Sequence, residues 1–374
     1  MKKFSLGLPV VPNDAFTEQI IQFREQISEV YFSPHGVSGG RGNVFGENLS
    51  PWDGPMRQMA TLDRLHAAGI PLNVLFNANC YGADSLSRTF FDRLGDTVDV
   101  LVSRYRLRSV TTTSPLIARF IHANFEGIRT RASVNMSVGT PEGMEYIAAD
   151  FDGFYLAREY NRDLPRIRVM RVACDRMGKE LYLLANSGCL NHCSAHTFHD
   201  NLVAHESEIV GRDNAYRFEG VCHAFLRSAE NCERYLARTN FIRPEDIDTV
   251  APYFDGIKLA TRTSPTPGII LSAYLRGHHA GAVTSLLEPD HTGLFFPQII
   301  ENSRIPPDFT ERVLRCDKQC DSCGYCADVC RAAMIQPEEN ICCPVPISKP
   351  SPSRQGRTNA ASRPCPDSAA RPMK

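Results

Sequence analysis

Short apolar runs rich in β-branched and aromatic residues alternate along this chain with longer stretches of helical periodicity. Strands are expected near Phe4–Val10, Glu29–Phe32, Leu72–Asn77, Ser109–Thr113, Arg129–Val134, Gly153–Ala157, Leu181–Ala185 and Gly256–Ala260. Between them, Phe91, Leu94, Val98, Leu101, Val102 and Tyr105 recur at steps of three and four, which makes one apolar helix face. Pro115 suits the first turn of a helix through His122. Thr140-Pro-Glu-Gly-Met-Glu145 offers a threonine cap, then proline and acids in the first turn.

Strands alternating with helices predict an α/β protein with a parallel sheet. Eight strands close a (β/α)8 TIM-barrel-like domain, and Phe4 to about Arg262 is a span of that size. The competing fold, an open doubly wound sheet, usually carries G-x-G-x-x-G after its first strand; Leu6-Gly-Leu-Pro9 does not supply it. The segment Asn191 to Arg243 is long for one crossover and is expected to elaborate the barrel mouth. The expected organisation is a barrel over 1–263, an ordered extension over 264–312 and a C-terminal ferredoxin-like cysteine-rich module over 313–343. The Pro, Ser, Ala and Arg-rich stretch 344–374 has too few large apolar residues to offset chain entropy and is expected to be disordered.

The hydrophobic fraction of 43% is ample for a core of this size. A net charge of -1 gives no general surface for nucleic acid or membrane. The start, Met1 to Val10, has two lysines but only a short apolar run, so neither a signal peptide nor a membrane span is expected and the cytoplasm is the expected location. In a reducing compartment, 14 cysteines point to metal ligands or catalytic thiols rather than disulfides.

Cys320-Asp-Ser-Cys323-Gly-Tyr-Cys326-Ala-Asp-Val-Cys330 has the C-x2-C-x2-C-x3-C spacing of a ferredoxin-type iron–sulfur site. The competing reading is a structural zinc knot, although zinc sites more often use two separated C-x2-C knuckles. Arg331 replaces the usual proline after the run. That leaves the fourth ligand open between Cys330, Cys316, Cys342 and Cys343.

A second cluster, Asn186-Ser-Gly-Cys189-Leu-Asn-His-Cys193-Ser-Ala-His196, follows a predicted strand and so belongs at the C-terminal mouth of the barrel. With Cys222 and Cys232 it can supply four thiolates to a [4Fe–4S] site. Zinc using His192, His196 or His199, or plain buried cysteines, are the alternatives.

Four stretches, in order, resemble the collagenase-like peptidase family of unassigned catalytic type, U32. They are Phe154-Tyr-Leu-Ala-Arg158-Glu159, the Asn186–His196 loop, Phe241-Ile-Arg243-Pro244-Glu245-Asp246 and Ile257-Lys258-Leu-Ala-Thr-Arg262. The resemblance implies a (β/α)8-like barrel. It includes RNA hydroxylation factors and paired subunits that hydroxylate the ubiquinone ring without oxygen, the latter holding a [4Fe–4S] cluster. By that similarity Cys189, Cys193, Cys222 and Cys232 are the implied ligands. The module at 316–330 lies outside the common barrel and marks a specialised branch.

Arg158 and Glu159 end a predicted strand, where Arg158 can fork onto a carboxylate or phosphate and Glu159 can act as a base. A structural ion pair between them is the alternative. Lys258 and Arg262, on the last strand and its exit, form a candidate anion site, with solvent-facing rim charge as the alternative. Arg243-Pro-Glu-Asp reads most simply as a helix start. His205-Glu206-Ser-Glu208 lacks the second histidine of a zinc peptidase. Gly36-Val-Ser38-Gly-Gly40 matches a nucleophile elbow but runs on into loop, so a glycine-rich mouth loop is expected instead. Cys80 is read as structural and Trp52 as a packing anchor.

The expected function is iron–sulfur-dependent, oxygen-independent redox modification, as in hydroxylation of an aromatic ring or nucleobase, with one or two [4Fe–4S] clusters. A peptidase with a structural cluster and a non-catalytic electron-transfer or assembly subunit are the alternatives. A small-molecule or RNA substrate and a paralogous barrel or reductase partner are compatible with this reading.

Overall fold

Eight parallel strands close on themselves in sequence order in this computed structural model. They are β1 (Phe4–Gly7), β2 (Ile27–Phe32), β3 (Leu72–Phe76), β4 (Ser109–Thr112), β5 (Arg129–Ala132), β6 (Gly153–Tyr155), β7 (Glu180–Leu184) and β8 (Gly256–Leu259). β1 pairs with β8 through Phe4↔Ile257 and Leu6↔Leu259, which completes a (β/α)8 TIM barrel. All eight expected strands are present; most end one or two residues before the apolar run does. The structure describes residues 2–9, 13–37, 39–40, 53–320 and 322–337. Val10, Ser38, Trp52, Cys342, Cys343 and the expected tail 344–374 lie outside the described residues. Met1–Gln336 form one compact unit; of the second, Pro337–Lys374, only Pro337 is described.

Alternation along each strand sorts the core into two parts. Residues such as Leu6, Val30, Val74, Val110, Phe154 and Leu183 are buried in the large apolar cluster shared with the helices. The inward set is polar and aromatic. Tyr155, Tyr182 and Leu184 form a small separate cluster with Val134 and Ala260. Below it, Glu29 accepts from Ser5 Oγ at 2.9 Å, Asn73 Nδ2 at 3.0 Å and Arg131 Nη1 at 2.7 Å. The Arg131 guanidinium lies 4.4 Å from the Tyr182 ring centre. Gly153 makes room for this layer: a Cβ there would meet Tyr182 at 2.7 Å.

The helices follow their sequence signals. Ser87 caps the helix Arg88–Tyr105, whose Leu94, Val98, Leu101 and Tyr105 are buried. Ser114 caps Pro115–Asn124, and Thr140 caps Pro141–Glu145. After β8 the helix Pro267–Arg276 closes the outer ring, with Gln19 Nε2 donating to Ser272 Oγ at 2.7 Å. The excursion between β7 and β8 holds the short helices His196–Ala204, Glu206–Val210, Val221–Phe225, Ala229–Glu233 and Tyr235–Arg238. Arg243 begins a tight turn over Pro244–Asp246 that continues as a helix at Ile247–Val250. Its guanidinium is buried on Asp246, 2.6 Å away, and reaches the carbonyl of Ile305 at 3.2 Å. That ties the excursion to the C-terminal segment. The cysteine-bearing helix Tyr325–Ala333 packs on Tyr235–Arg238. No helix among the described residues is long and apolar enough to cross a membrane.

Candidate active site and metal centres

The loops that leave the C-terminal ends of the strands carry most of the sequence candidates, as the barrel geometry requires. Asn186 sets the β7 loop: its Nδ2 donates to the carbonyls of Ala260 and Leu286, both at 2.8 Å, and its Oδ1 accepts from Ala260 N. Only a primary amide supplies both donors and an acceptor in this buried position. The Cys189 and Cys193 thiols follow directly.

Arg158 is buried beside them. Its Nη1 lies 3.7 Å from Cys189 Sγ and donates to His196 Nε2 at 2.6 Å, while Nη2 donates to Asn135 Oδ1 at 2.8 Å. No ion pair with Glu159 is present among the described residues. Glu159 instead lines a groove with Met136, Gly139, Tyr160 and His192. Adjacent in sequence, the two residues serve different places.

Arg262 donates to Ser33 Oγ at 2.7 Å. The glycine pair after Ser38 runs between the two arginines. A Cβ on Gly39 would lie 3.4 Å from Arg262 Nη2, and one on Gly40 only 2.4 Å from Asn135 Nδ2. Gly40 N also donates to Asn77 Oδ1 at 3.0 Å. Glycine is required here because backbone must pass this close to the side chains of the mouth.

Lys258 stands under this layer with its Nζ 3.9 Å from the Tyr31 ring centre and 5.2 Å from that of Tyr155. Among the described residues it makes no hydrogen bond or ion pair. Burial pushes its ammonium down to about 7, and Arg262 pushes in the same direction against the pull of Glu29 and Glu288. An amine poised between charge states, with Arg262 near it, suits an anionic ligand or proton transfer.

The cysteines fall into three neighbourhoods. Burial raises the Cys222 thiol, and the nearby Cys189 and Cys193 thiols raise it further, so these three belong together. Cys222 also meets His223 and His291, the three ligand atoms lying within 4.8 Å of one another. His291 Nδ1 is 3.1 Å from Tyr235 Oη, whereas its buried Nε2 has no hydrogen-bond partner among the described residues. Burial, then His223, pushes His291 down to about 4, so its imidazole is neutral and able to ligate. Sequence spacing did not single out His223 and His291, because His291 comes from a separate segment after β8.

In the second neighbourhood, the Cys232 thiol donates to the Leu226 carbonyl at 3.0 Å. Cys330 donates to the Cys232 carbonyl at 3.5 Å. The third surrounds Cys326. Burial raises its thiol to about 11, Arg162 opposes that, and the thiols of Cys316, Cys320 and Cys323 add to it. The run thus divides within its own helix, with Cys326 facing Cys316, Cys320 and Cys323, and Cys330 facing Cys232.

Arg162, 1% exposed, donates to the carbonyls of Phe241 at 2.7 Å, Leu236 at 3.1 Å and Thr239 at 3.2 Å. No carboxylate pairs with it among the described residues, and its Nη2 is buried without a partner. A buried cation without a counterion is costly. A thiolate-bound metal group at Cys316, Cys320, Cys323 and Cys326 would supply the missing negative charge, so these residues fit such a group. All eleven described cysteines are free thiols, which agrees with metal-ligand use and not with disulfides.

No family model and no curated protein matches this chain. Among solved structures, it is similar to the dipeptide epimerase from Methylococcus capsulatus, at 15% identity over 54% of this chain and 52% of that one, with a TM-score of 0.31. An endo-1,4-beta-D-mannanase from Thermotoga petrophila aligns at 11% identity over 55% of this chain and 85% of that one, with a TM-score of 0.34. The barrel matches the U32 peptidase Mk0906 over 71% of this chain and 94% of that one, at 15% identity and a TM-score of 0.49.

Proposed function

We propose that this protein is an iron–sulfur enzyme of the U32 kind that carries out oxygen-independent redox modification, with hydroxylation of an aromatic ring or nucleobase as the reaction class. The observation that carries the reading is the buried Arg162, in no ion pair among the described residues, beside the thiols around Cys326. Iron–sulfur clusters held there and at the mouth would supply one-electron transfer. In this reading Cys316, Cys320, Cys323 and Cys326 hold the C-terminal cluster. Cys189, Cys193 and Cys222 hold the one at the mouth, with His291 or His223 beside them as a further donor.

The remaining roles belong to the barrel. Arg158, fixed by Asn135 and His196, neutralises charge at Cys189 and keeps the β7 loop in place. Lys258 and Arg262 bind an anionic group of the substrate, and Lys258 holds or releases a proton at Nζ. Tyr31 and Tyr155 wall off water beneath it. A reductase or a paralogous barrel would be the electron donor to a cluster held there.

Anaerobic purification followed by iron, acid-labile sulfide and EPR analysis tests this. Iron and sulfide in near-equal amounts, with a reducible cluster signal, support it. Zinc without sulfide removes the redox mechanism. A second reading, a zinc centre on Cys222, His223 and His291, rests on the convergence of those three ligand atoms, and the same metal analysis decides between them.

A further inference from the structure

The rim of the barrel carries a reactive group that the cysteine centres do not use. Cys80 follows β3, and His205 sits at the junction of the helices His196–Ala204 and Glu206–Val210. The excursion after β7 folds across the mouth and brings the two together. Asn79 Nδ2 fastens the segments by donating to the buried Asp200 Oδ2 at 3.1 Å. The His205 ring lies over the same turn as Cys80, beside Gly82. Its Nδ1 lies 3.3 Å from Glu208 Oε1, which leaves Nε2 for proton exchange with sulfur. Gly82 N–H donates to Cys80 Sγ at 3.3 Å. A Cβ on Gly82 would stand 3.5 Å from His205 Cε1, so the approach is open to a small group but close.

The charges agree with the geometry. The Cys80 thiol is drawn below its usual range, first by His205 and then by the Gly82 amide. His205 is raised, first by Cys80, with Glu208 acting in the same direction.

We propose that Cys80, His205 and Glu208 form a nucleophilic triad at the barrel rim that accepts an acyl group from an ester or a peptide-like amide. The Cys80 proton passes to His205, and Sγ attacks the carbonyl carbon. The bond from that carbon to the leaving oxygen or nitrogen breaks as the leaving group takes the proton from the imidazolium. Water then attacks the thioester, giving its proton to His205; the acid departs and the Cys80 thiol is restored. This site is independent of the iron–sulfur reading and requires no metal.

The test uses the full chain, purified anaerobically, with 4-nitrophenyl acetate as the acyl donor. A burst of 4-nitrophenolate equal to the protein concentration is expected, together with an acetyl thioester on the Cys80 peptide by mass spectrometry. Cys80→Ser abolishes both. His205→Gln slows acylation by about 100-fold, the general-base contribution. Glu208→Gln, at an exposed residue, slows it less. Iodoacetamide labelling of Cys80, followed by peptide mapping across pH, gives a second readout. Its inflection lies below that of an ordinary thiol and returns to the ordinary value in His205→Gln. Absence of acetyl on Cys80, or an inflection unchanged in His205→Gln, overturns the proposal, whatever the metal content.

Discussion

The thiol of Cys330 donates to the main-chain carbonyl of Cys232, 3.5 Å away and 98 residues earlier in the chain. Two cysteines that spacing assigns to separate metal centres therefore meet each other in the core between them. Cys330 is fully buried, whereas Cys316 and Cys323 are exposed. Cys316→Ala is expected to lower the iron bound per chain by one cluster. Cys330→Ala is expected to keep that iron and to lower the melting temperature instead, through loss of packed volume. Iron and sulfide assays on the two variants, with thermal unfolding, check this; equal iron loss in both contradicts it.

Arg162 is the buried cation whose charge acts on the Cys326 thiol. Removing a positive charge from beside a cluster disfavours the reduced, more negative state. Arg162→Met is therefore expected to move the potential of the C-terminal cluster to a more negative value while the mouth cluster keeps its own. EPR-monitored redox titration of both centres reads this directly. A potential unchanged by the substitution separates Arg162 from the cluster.

The Glu29–Arg131 pair inside the barrel makes a stability prediction. Burial alone would raise the Glu29 carboxyl, but Arg131, Asn73 and Ser5 together hold it below its usual range. A carboxylate with a depressed folded value stabilises the fold above its unfolded value and loses that contribution as pH falls through the folded one. Stability from this pair is thus expected to hold at neutral pH and fade in acid. Glu29→Gln leaves Arg131 charged and unpaired in the barrel, at an expected cost of about 3–5 kcal/mol. Denaturant unfolding at pH 7 measures it, and a loss below 1 kcal/mol, as for an exposed pair, contradicts the prediction.

Lys258 gives the pH dependence of the mouth. Its value of about 7 means that Nζ is charged below neutrality and loses that charge as pH rises through 7. Binding of an anionic ligand that uses Nζ is expected to weaken over that rise and to lose the dependence in Lys258→Met. Titration of a dicarboxylate probe by calorimetry at several pH values checks the sign. Binding that strengthens above pH 7 excludes Lys258 as the anion contact.

The barrel was legible because its outward-facing residues, such as Leu6, Val74 and Leu183, make apolar runs that end at turn residues. Proline and threonine signals at Pro115 and Thr140 located helix starts for the same local reason. The strands' last residues were overcounted because the loops at the mouth, Asn77 and Ala157 among them, are buried too. The inward layer was not legible. Glu29 and Arg131 look like surface charges until the barrel closes around them, and 102 residues separate the pair. The cysteine spacing marked out the run 320–330 but not how its thiols group, because a helix carries Cys326 and Cys330 past different neighbours. His223, His291 and the Cys80–His205 contact depend on how the long excursion folds over the mouth, which no local pattern encodes.

The most direct measurement is metal and acid-labile sulfide content of protein made with full iron supply and kept free of oxygen. Two clusters per chain are expected, falling to one in Cys320→Ala/Cys323→Ala and, separately, in Cys189→Ala/Cys193→Ala. A colourless protein with zinc and no sulfide would contradict the account.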